Sequence, residues 1–383
     1  MFWKWRTYLD IAAGVRGNPS SSHEEGRRAK RILEDARLII ARLVEVQPDD
    51  VVFTSGATEG NALAMLGHVR ALRELAGPDA VGRNNMHVLY LPSAHASIVE
   101  NAKLLAHEGI AVETLPIKDY RVDTKALAKM LRPETVLVSM DAVCGETGVV
   151  WNTREVAEVL RKARADKAAG RILLHVDASQ APLTEKFSRA HFDADMLVLD
   201  ASKVGTVRGI GTLIAHRTIP IISLYKGGGQ ERGLRPGSET PELAKSFAAA
   251  LRAAALARES FRARAERARK GLVERITRDI PNILIQEGRA QVPNILNLSL
   301  PGRDTDYLVA LLDEAGFALS TRSACETDSE EGSRAVLVLT GDPKLARATL
   351  RISWGRGIRP SGLMRFARAL SRAVAFVDNS NQG

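Results

Sequence analysis

The chain has 383 residues, of which 45% are hydrophobic and 26% are charged, so it supports a large buried core and favours two domains. Its net charge is +9, but much of the basic excess alternates with glutamates between residues 252 and 278, without aromatic platforms or zinc-binding spacing, so we expect no specific nucleic-acid binding. It lacks an apolar run of about 18 residues and a start typical of a secretory signal, so neither a membrane span nor export is expected.

The first half of the chain alternates strands and helices. A helix is predicted over 22–46, with Ser22 and Glu25 as a capping box. The strand Val51–Thr54, a tight turn and a helix over 59–75 follow. Further apolar strands and helical stretches alternate over 88–91, 98–107, 112–115, 124–131, 136–140, 154–167 and 172–176. This alternation predicts a mainly parallel sheet covered on both faces.

The pattern changes after the strand Met196–Leu199, which is followed by Lys203 and a glycine-rich loop. A second glycine-rich segment covers 226–242, and a long helix is predicted over 243–278. Shorter strands and helices then alternate, ending in a helix over 361–378. We therefore predict a large domain over 20–242 and a small α+β domain formed by 1–19 and 243–383, which includes the long connecting helix.

Lys203 is a candidate for covalent chemistry. A lysine just past a buried strand can lose hydration, which lowers the pKa of its amine. A neutral amine forms a Schiff base with an aldehyde cofactor. The alternative is an ordinary surface lysine in a glycine-rich turn, and for the residue taken alone that interpretation is favoured.

Other polar residues follow predicted strands, where ligands of open α/β sheets bind. The turn 54–58 has amides and a hydroxyl suited to phosphate. Asp177 ends a strand and is followed by Gln180, and His95 follows another strand. Each alone is typical of a turn or cap. Together with Lys203 they suit pyridoxal 5′-phosphate (PLP), because a carboxylate beside the pyridine nitrogen keeps the ring an electron sink.

The chain resembles the NifS/IscS-type cysteine desulfurases, of the class V aminotransferase branch of PLP-dependent fold type I. The resemblance runs from Tyr8 to the last helix and rests on the segments FTSGATEGNALA, AHASIVEN, HVDASQ, KGGGQERGLRPGSET, PNILNLS, STRSAC and LRISWGR. It implies an α/β transferase fold, with a mainly parallel seven-stranded sheet in the large domain and a smaller α+β domain.

The resemblance assigns the cofactor site. It implies that Lys203 forms the Schiff base with PLP and that Asp177 binds the pyridine nitrogen. It places Gln180 near the ring hydroxyl and His95 on the ring face. The residues implied at the phosphate are Ala57, Thr58, Ser202 and, from a neighbouring subunit, Ser238. A hydroxyl shared in this way implies a homodimer.

The resemblance also assigns the reaction. Asn18 and Arg351 match residues that hold the substrate carboxylate, and a guanidinium suits that pairing. Cys325 matches the nucleophile that takes sulfur from L-cysteine, with Lys203 and His95 as the proton shuttles. The products are alanine and a Cys325 persulfide, whose sulfur goes to an acceptor protein for iron–sulfur cluster assembly or tRNA thiolation.

The two cysteines have different settings. Cys325 lies in a polar segment near Arg322, a cation that favours the thiolate, although an acidic run after it has the opposite effect. Cys144 follows an apolar strand, and we interpret it as structural. Two cysteines do not form a disulfide framework, which fits a cytoplasmic protein.

The chain departs from the family pattern at four places. Asp200 and Ser202 replace a serine and a histidine that bind phosphate, and Gly145 replaces an asparagine near the ring. A carboxylate repels a phosphate unless a cation compensates, and Arg208 is the candidate cation. The segment between Leu9 and Gly17 is shortened, which reshapes the mouth of the site.

Two alternatives to a cysteine desulfurase stay open, one because the sequence does not fix the pocket for the substrate side chain and one because of these departures. One is a PLP-dependent lyase or transferase acting on another amino acid, such as selenocysteine. The other is a degenerate scaffold that has lost the cofactor and binds a partner protein.

Overall fold

The computed structural model describes residues 6–15, 17–77, 85–165, 171–205, 207–321 and 332–380. The strands are β1 (Val51–Thr54), β2 (His87–Tyr90), β3 (Ala111–Thr114), β4 (Ile117–Lys118), β5 (Arg121–Val122), β6 (Thr135–Asp141), β7 (Leu173–Asp177), β8 (Met196–Asp200), β9 (Gly211–Ala215), β10 (Leu284–Ile285), β11 (Ile295–Ser299) and β12 (Thr349–Ser353). The helices are α1 (Glu24–Leu43), α2 (Ala57–Ala62), α3 (His68–Ala76), α4 (Ala96–His107), α5 (Thr124–Met130), α6 (Thr153–Ala165), α7 (Arg189–Phe192), α8 (Pro241–Asp279), α9 (Thr305–Glu314), α10 (Arg334–Thr340), α11 (Pro343–Arg347) and α12 (Pro360–Ser380).

The main sheet has seven strands in the order β1-β9-β8-β7-β6-β2-β3. Strand β9 runs antiparallel to both of its neighbours, β1 and β8, and the pairings from β8 to β3 are all parallel. Strand β7 is buried along its whole length, as expected for an apolar strand with both faces covered. The predicted α/β fold with a mainly parallel seven-stranded sheet is therefore confirmed.

The start of α1 differs from the prediction. The helix begins at Glu24, and its N-cap is His23 rather than Ser22. The ring Nδ1 of His23 accepts a hydrogen bond from the Gly26 amide at 3.2 Å, and its Nε2 lies 3.0 Å from an Asp10 carboxylate oxygen. The imidazole satisfies one of the free amides of the first turn, the role that was predicted for a serine hydroxyl.

Two apolar cores lie along the chain, and α8 belongs to both. Its first half packs through Phe247 and Leu251 on the core of the main sheet. From Phe261 onward it packs on a second core built by α9, α12 and the antiparallel sheet β10-β11-β12. The change between the cores thus falls inside α8, while the predicted domain division at residue 243 stays a prediction.

Helix α2 lies close against the main sheet, and its approach depends on one glycine. A Cβ added at Gly60 would lie 3.0 Å from Cγ1 of Val198 on β8, closer than ordinary van der Waals contact. The turn before α2 is thereby held beside the carboxyl end of β8. Among the described helices, none is long and apolar enough to cross a membrane.

Candidate active site

A cavity of about 240 Å³ lies where the parallel strands β6, β7 and β8 end. This is the edge at which open α/β sheets bind ligands. Seven residues predicted for the site line this one cavity: Ala57, Thr58, His95, Asp177, Gln180, Lys203 and Arg351. The parallel topology brings together residues that are up to 294 positions apart in the sequence, since Ala57 and Arg351 are both members.

Asp177 is held in a fixed position at the end of β7. It is 6% exposed, and its Oδ2 accepts a hydrogen bond of 2.7 Å from Nδ2 of Asn61. Its Oδ1 accepts a second, of 2.9 Å, from the Ser179 amide. These bonds fix the orientation of the carboxylate. A buried carboxylate at a cavity wall is suited to binding a cationic ring nitrogen.

A hydrogen-bonded chain connects Asp177 to His95. The side-chain amide of Asn61 also donates to Oγ of Ser97 at 2.8 Å. The Ser97 oxygen lies 2.8 Å from Nδ1 of His95, and the Ser97 amide donates to the same ring nitrogen at 3.2 Å. Since Nδ1 accepts this amide proton, the hydrogen-bond network assigns the proton of a neutral His95 ring to Nε2.

Sequence reasoning missed Asn61 and Ser97. Both are buried, and both lie in segments that the family resemblance contains, TEGNALA and AHASIVEN. Their positions one turn into α2 and at the start of α4 gave no sign that the two side chains meet.

Lys203 ends a short 3₁₀ turn, Ala201–Lys203, directly after β8. It lines the cavity but is exposed in the single chain. The loss of hydration expected for a lysine after a buried strand is therefore not found here. The turn separates the side chain from the buried strand, so the amine is accessible from the cavity.

Asp200 occupies donors that were predicted for a phosphate. Its Oδ2 accepts a hydrogen bond of 2.9 Å from the Ala57 amide. Its Oδ1 accepts two from Ser202, at 2.8 Å from the amide and 2.6 Å from the hydroxyl. Arg208, the candidate cation, is exposed and is not among the residues that line the cavity. Hydrogen-bond donors, rather than Arg208, thus compensate the Asp200 carboxylate.

Gln180 and Arg351 meet around Gly145. A Cβ at Gly145 would lie 3.2 Å from Nε2 of Gln180, so the glycine leaves room for that amide. Arg351, on β12, donates to the Gly145 carbonyl at 3.2 Å. This bond brings the second core's sheet to the edge of the cavity and fixes one guanidinium nitrogen there.

Three predicted residues lie outside the cavity lining in the single chain. The Asn18 side chain is bonded within its own segment, to the Ala13 carbonyl at 3.0 Å and the Ser20 amide at 2.9 Å. Ser238 is exposed in the glycine-rich segment, and Ser202 faces Asp200. Cys325, with Arg322, falls outside the described residues.

Four further ionisable residues of the cavity were not predicted as site residues: Asp141, Cys144, Glu146 and Arg334. Burial, with Asp141 and Glu146 nearby, raises the pKa of the Cys144 thiol to about 12. Burial, together with the charge of Asp177, also raises the pKa of Asp141 well above its usual value. Cys144 thus stays a protonated thiol at neutral pH, in keeping with a structural role.

Comparison with known proteins places this fold and site in a family. The model of the class-V aminotransferase family matches residues 7–357. The chain belongs to the class-V aminotransferase family.

Named relatives agree with that assignment. The chain is 30% identical to the cysteine desulfurase IscS 1 of Archaeoglobus fulgidus, over 89% of this chain and 85% of the relative. It is 29% identical to the mitochondrial cysteine desulfurase of Saccharomyces cerevisiae, over 97% and 72%. A solved structure titled NifS-like protein superposes with a TM-score of 0.83 at 25% identity, over 94% of this chain and 92% of the other.

Enzymes of this family depend on PLP, and the residues present fit it. A fixed buried carboxylate (Asp177), an accessible amine (Lys203) and an imidazole (His95) line one cavity. These groups suit the ring nitrogen, the aldehyde and the ring face of PLP. The phosphate end differs, because Asp200 already binds the Ala57 and Ser202 donors.

Proposed function

We propose that this chain is a PLP-dependent cysteine desulfurase, which converts L-cysteine to L-alanine and retains the sulfur as a persulfide on Cys325. The observation that carries the proposal is the convergence of Lys203, Asp177 and His95 on one cavity. Relatives named cysteine desulfurase, which match along most of the chain, support it.

The site residues have separate roles in the proposed reaction. PLP, when bound, withdraws electrons from the substrate carbon. Lys203 would hold the cofactor's aldehyde and would move protons at the substrate. Asp177, held by Asn61 at 2.7 Å, would keep the ring nitrogen protonated. Arg351 binds the substrate carboxylate with the guanidinium nitrogens that are not bonded to Gly145.

The sulfur transfer is balanced without an added oxidant. The Cys325 thiolate forms a bond to the substrate sulfur, and the substrate's carbon–sulfur bond breaks. The electron pair of that bond goes to the carbon side, which takes up a proton from Lys203 or His95 and becomes alanine. Cys144 does not serve as the nucleophile, because its raised pKa of about 12 keeps it protonated.

The test is alanine release from L-cysteine under reductant. We expect the wild-type protein to release alanine and Lys203→Ala to release none. Cys325→Ala should lose turnover, whereas Cys144→Ala, the matched control, should stay within about threefold of wild type because a protonated thiol contributes no nucleophile. Alanine release that survives Cys325→Ala would contradict the proposal, and so would a protein that binds PLP but releases no alanine.

Assembly and partners form part of the same proposal. We expect a homodimer, because Leu9, Ile11 and Val15 of the N-terminal segment are 66–89% exposed and because Ser238 is placed outside its own chain's cavity lining. The persulfide sulfur passes to an acceptor protein, for iron–sulfur clusters or tRNA thiolation. A reducing compartment such as the cytoplasm suits an enzyme with a free nucleophilic thiol. Light scattering of the purified protein tests the dimer.

A further inference from the structure

The carboxylate of Asp200 lies at the phosphate end of the cavity. It lines the cavity together with Thr58 and Lys203. Its two oxygens receive three hydrogen bonds, one from the Ala57 amide at 2.9 Å and two from Ser202 at 2.8 and 2.6 Å. Both residues lie where the resemblance implies phosphate ligands, Ser202 in place of the family's histidine, so the same donors have two possible acceptors.

The local backbone is built to admit this carboxylate. A Cβ at Gly56 would lie 3.2 Å from Oδ2 of Asp200, so the glycine permits the close approach. Asp200 is also the N-cap of the turn that carries Lys203, because its carboxylate receives the Ser202 amide. The contact with Ala57 spans 143 positions of the chain and fastens the turn before α2 to the end of β8.

We propose that Asp200 is a resident anion that competes with the cofactor's phosphate for the Ala57 and Ser202 donors, so that it sets how strongly this enzyme prefers PLP to unphosphorylated pyridoxal. The inference rests on the proposed function. Phosphate binding must displace the carboxylate from the Ala57 amide, and it must tolerate a negative charge within the same cavity. Both effects weaken the phosphate's contribution and leave the contributions of Asp177 and Lys203 unchanged.

The test compares the affinities of two cofactor forms. Cofactor-free protein of the full chain is titrated with PLP and with pyridoxal, and the dissociation constants are taken from the absorbance change on binding. Asp200→Ser keeps a capping hydroxyl and removes the charge; Asp200→Asn keeps the shape and removes the charge. Asp304→Ser is the matched control, because Asp304 caps α9 through the Asp306 and Tyr307 amides, both at 3.0 Å.

In Asp200→Ser we expect the preference for PLP over pyridoxal to rise about 10- to 100-fold, the effect of one or two hydrogen bonds to a charged group. Asp200→Asn should shift the preference in the same direction by less, and Asp304→Ser should leave it unchanged. Inorganic phosphate should compete with PLP more strongly in Asp200→Ser than in wild type. If Asp200→Ser does not fold, the preference measured in Asp200→Asn decides.

An unchanged preference in both Asp200 variants would overturn the inference while leaving the proposed function intact. A protein that binds neither PLP nor pyridoxal in any variant would contradict the proposed function, and the inference with it.

Discussion

Two aspartates end neighbouring strands and line one cavity, and we expect the same side chain to have opposite effects on a bound cofactor. Asp177 ends β7, is 6% exposed and is fixed by Asn61 and Ser179. Asp200 ends β8, is half-buried and is fixed by Ala57 and Ser202. In the proposed function the first carboxylate would keep a ring nitrogen cationic, while the second binds donors that would otherwise be available to an anionic phosphate. What a strand-end carboxylate does therefore depends on the ligand group beside it.

The largest effect is expected from neutralising the first carboxylate. Asp177→Asn should lower the rate of alanine release about 100- to 1000-fold, the size of effect seen when one preorganised charged or polar group is removed from an active site. The matched control is Asp195→Asn, at the opposite edge of the same sheet, where the carboxylate binds Arg164 and the Leu174 amide, both at 2.9 Å. Equal rates of alanine release in Asp177→Asn and Asp195→Asn would show that the Asp177 carboxylate has no special role. The contrast between Asp177 and Asp200 would then not hold.

Removing the support of that carboxylate should have a smaller effect. Asn61→Ala deletes the donors to Asp177 and Ser97, at 2.7 and 2.8 Å. We expect a loss of about 1–3 kcal/mol in the free energy of unfolding, because buried acceptors lose their partner, together with about tenfold slower alanine release. Urea unfolding and the alanine assay measure the two quantities.

The control for this prediction is Asn101→Ala, a half-buried asparagine on α4 that donates to the Ser97 carbonyl at 2.6 Å. It removes a side-chain amide of the same kind without touching Asp177. If Asn101→Ala slowed the enzyme as much as Asn61→Ala, the bond to Asp177 would have no special role.

The sequence predicted the strands that carry Asp177 and Asp200, but not the side-chain contacts of these residues. Apolar runs located six of the seven strands of the main sheet to within about two residues, and β1 (Val51–Thr54) and the start of β8 at Met196 match the predicted bounds. Parallel topology then brought Asp177, His95 and Lys203 to one edge, because strand ends meet there.

What the sequence did not reveal depends on side chains that meet across the fold. The bond between Asn61 and Asp177 joins residues 116 positions apart, and neither residue type specifies the other. Asp200 was recognised as a misplaced carboxylate, but its partner was predicted to be Arg208 rather than the Ala57 amide. The hydrogen-bond partners of Asp177 and Asp200 are determined by close packing, which depends on the whole chain.

The smallest predicted effect concerns a buried neutral group beside Asp177. Burial lowers the pKa of His175, on β7, to about 4, with the charge of Asp177 opposing that shift. Because its pKa is 6.5 in the unfolded chain, unfolding takes up a proton as the pH falls, and the stability due to neutral His175 is lost from about pH 6.5 down to about pH 4. The loss from this residue should be about 1 kcal/mol by pH 5.5.

Urea unfolding at pH 7.5 and pH 5.5 measures this dependence. His175→Asn should have a shallower fall than wild type. The control is His216→Asn, because Nδ1 of the His216 ring lies 2.8 Å from the Thr218 hydroxyl in an exposed hydrogen bond. This replacement should leave the pH dependence of the free energy of unfolding as it is in wild type. A slope unchanged in His175→Asn would show that burial of His175 does not carry the dependence.

The central claim, a PLP-dependent desulfurase that stores sulfur on Cys325, is tested most directly by mass spectrometry of the intact protein and its peptides after exposure to L-cysteine. The account predicts the mass of one additional sulfur on the peptide that contains Cys325, lost on treatment with reductant and absent in Lys203→Ala. No added sulfur in PLP-loaded protein, or added sulfur on the Cys144 peptide instead, would contradict it.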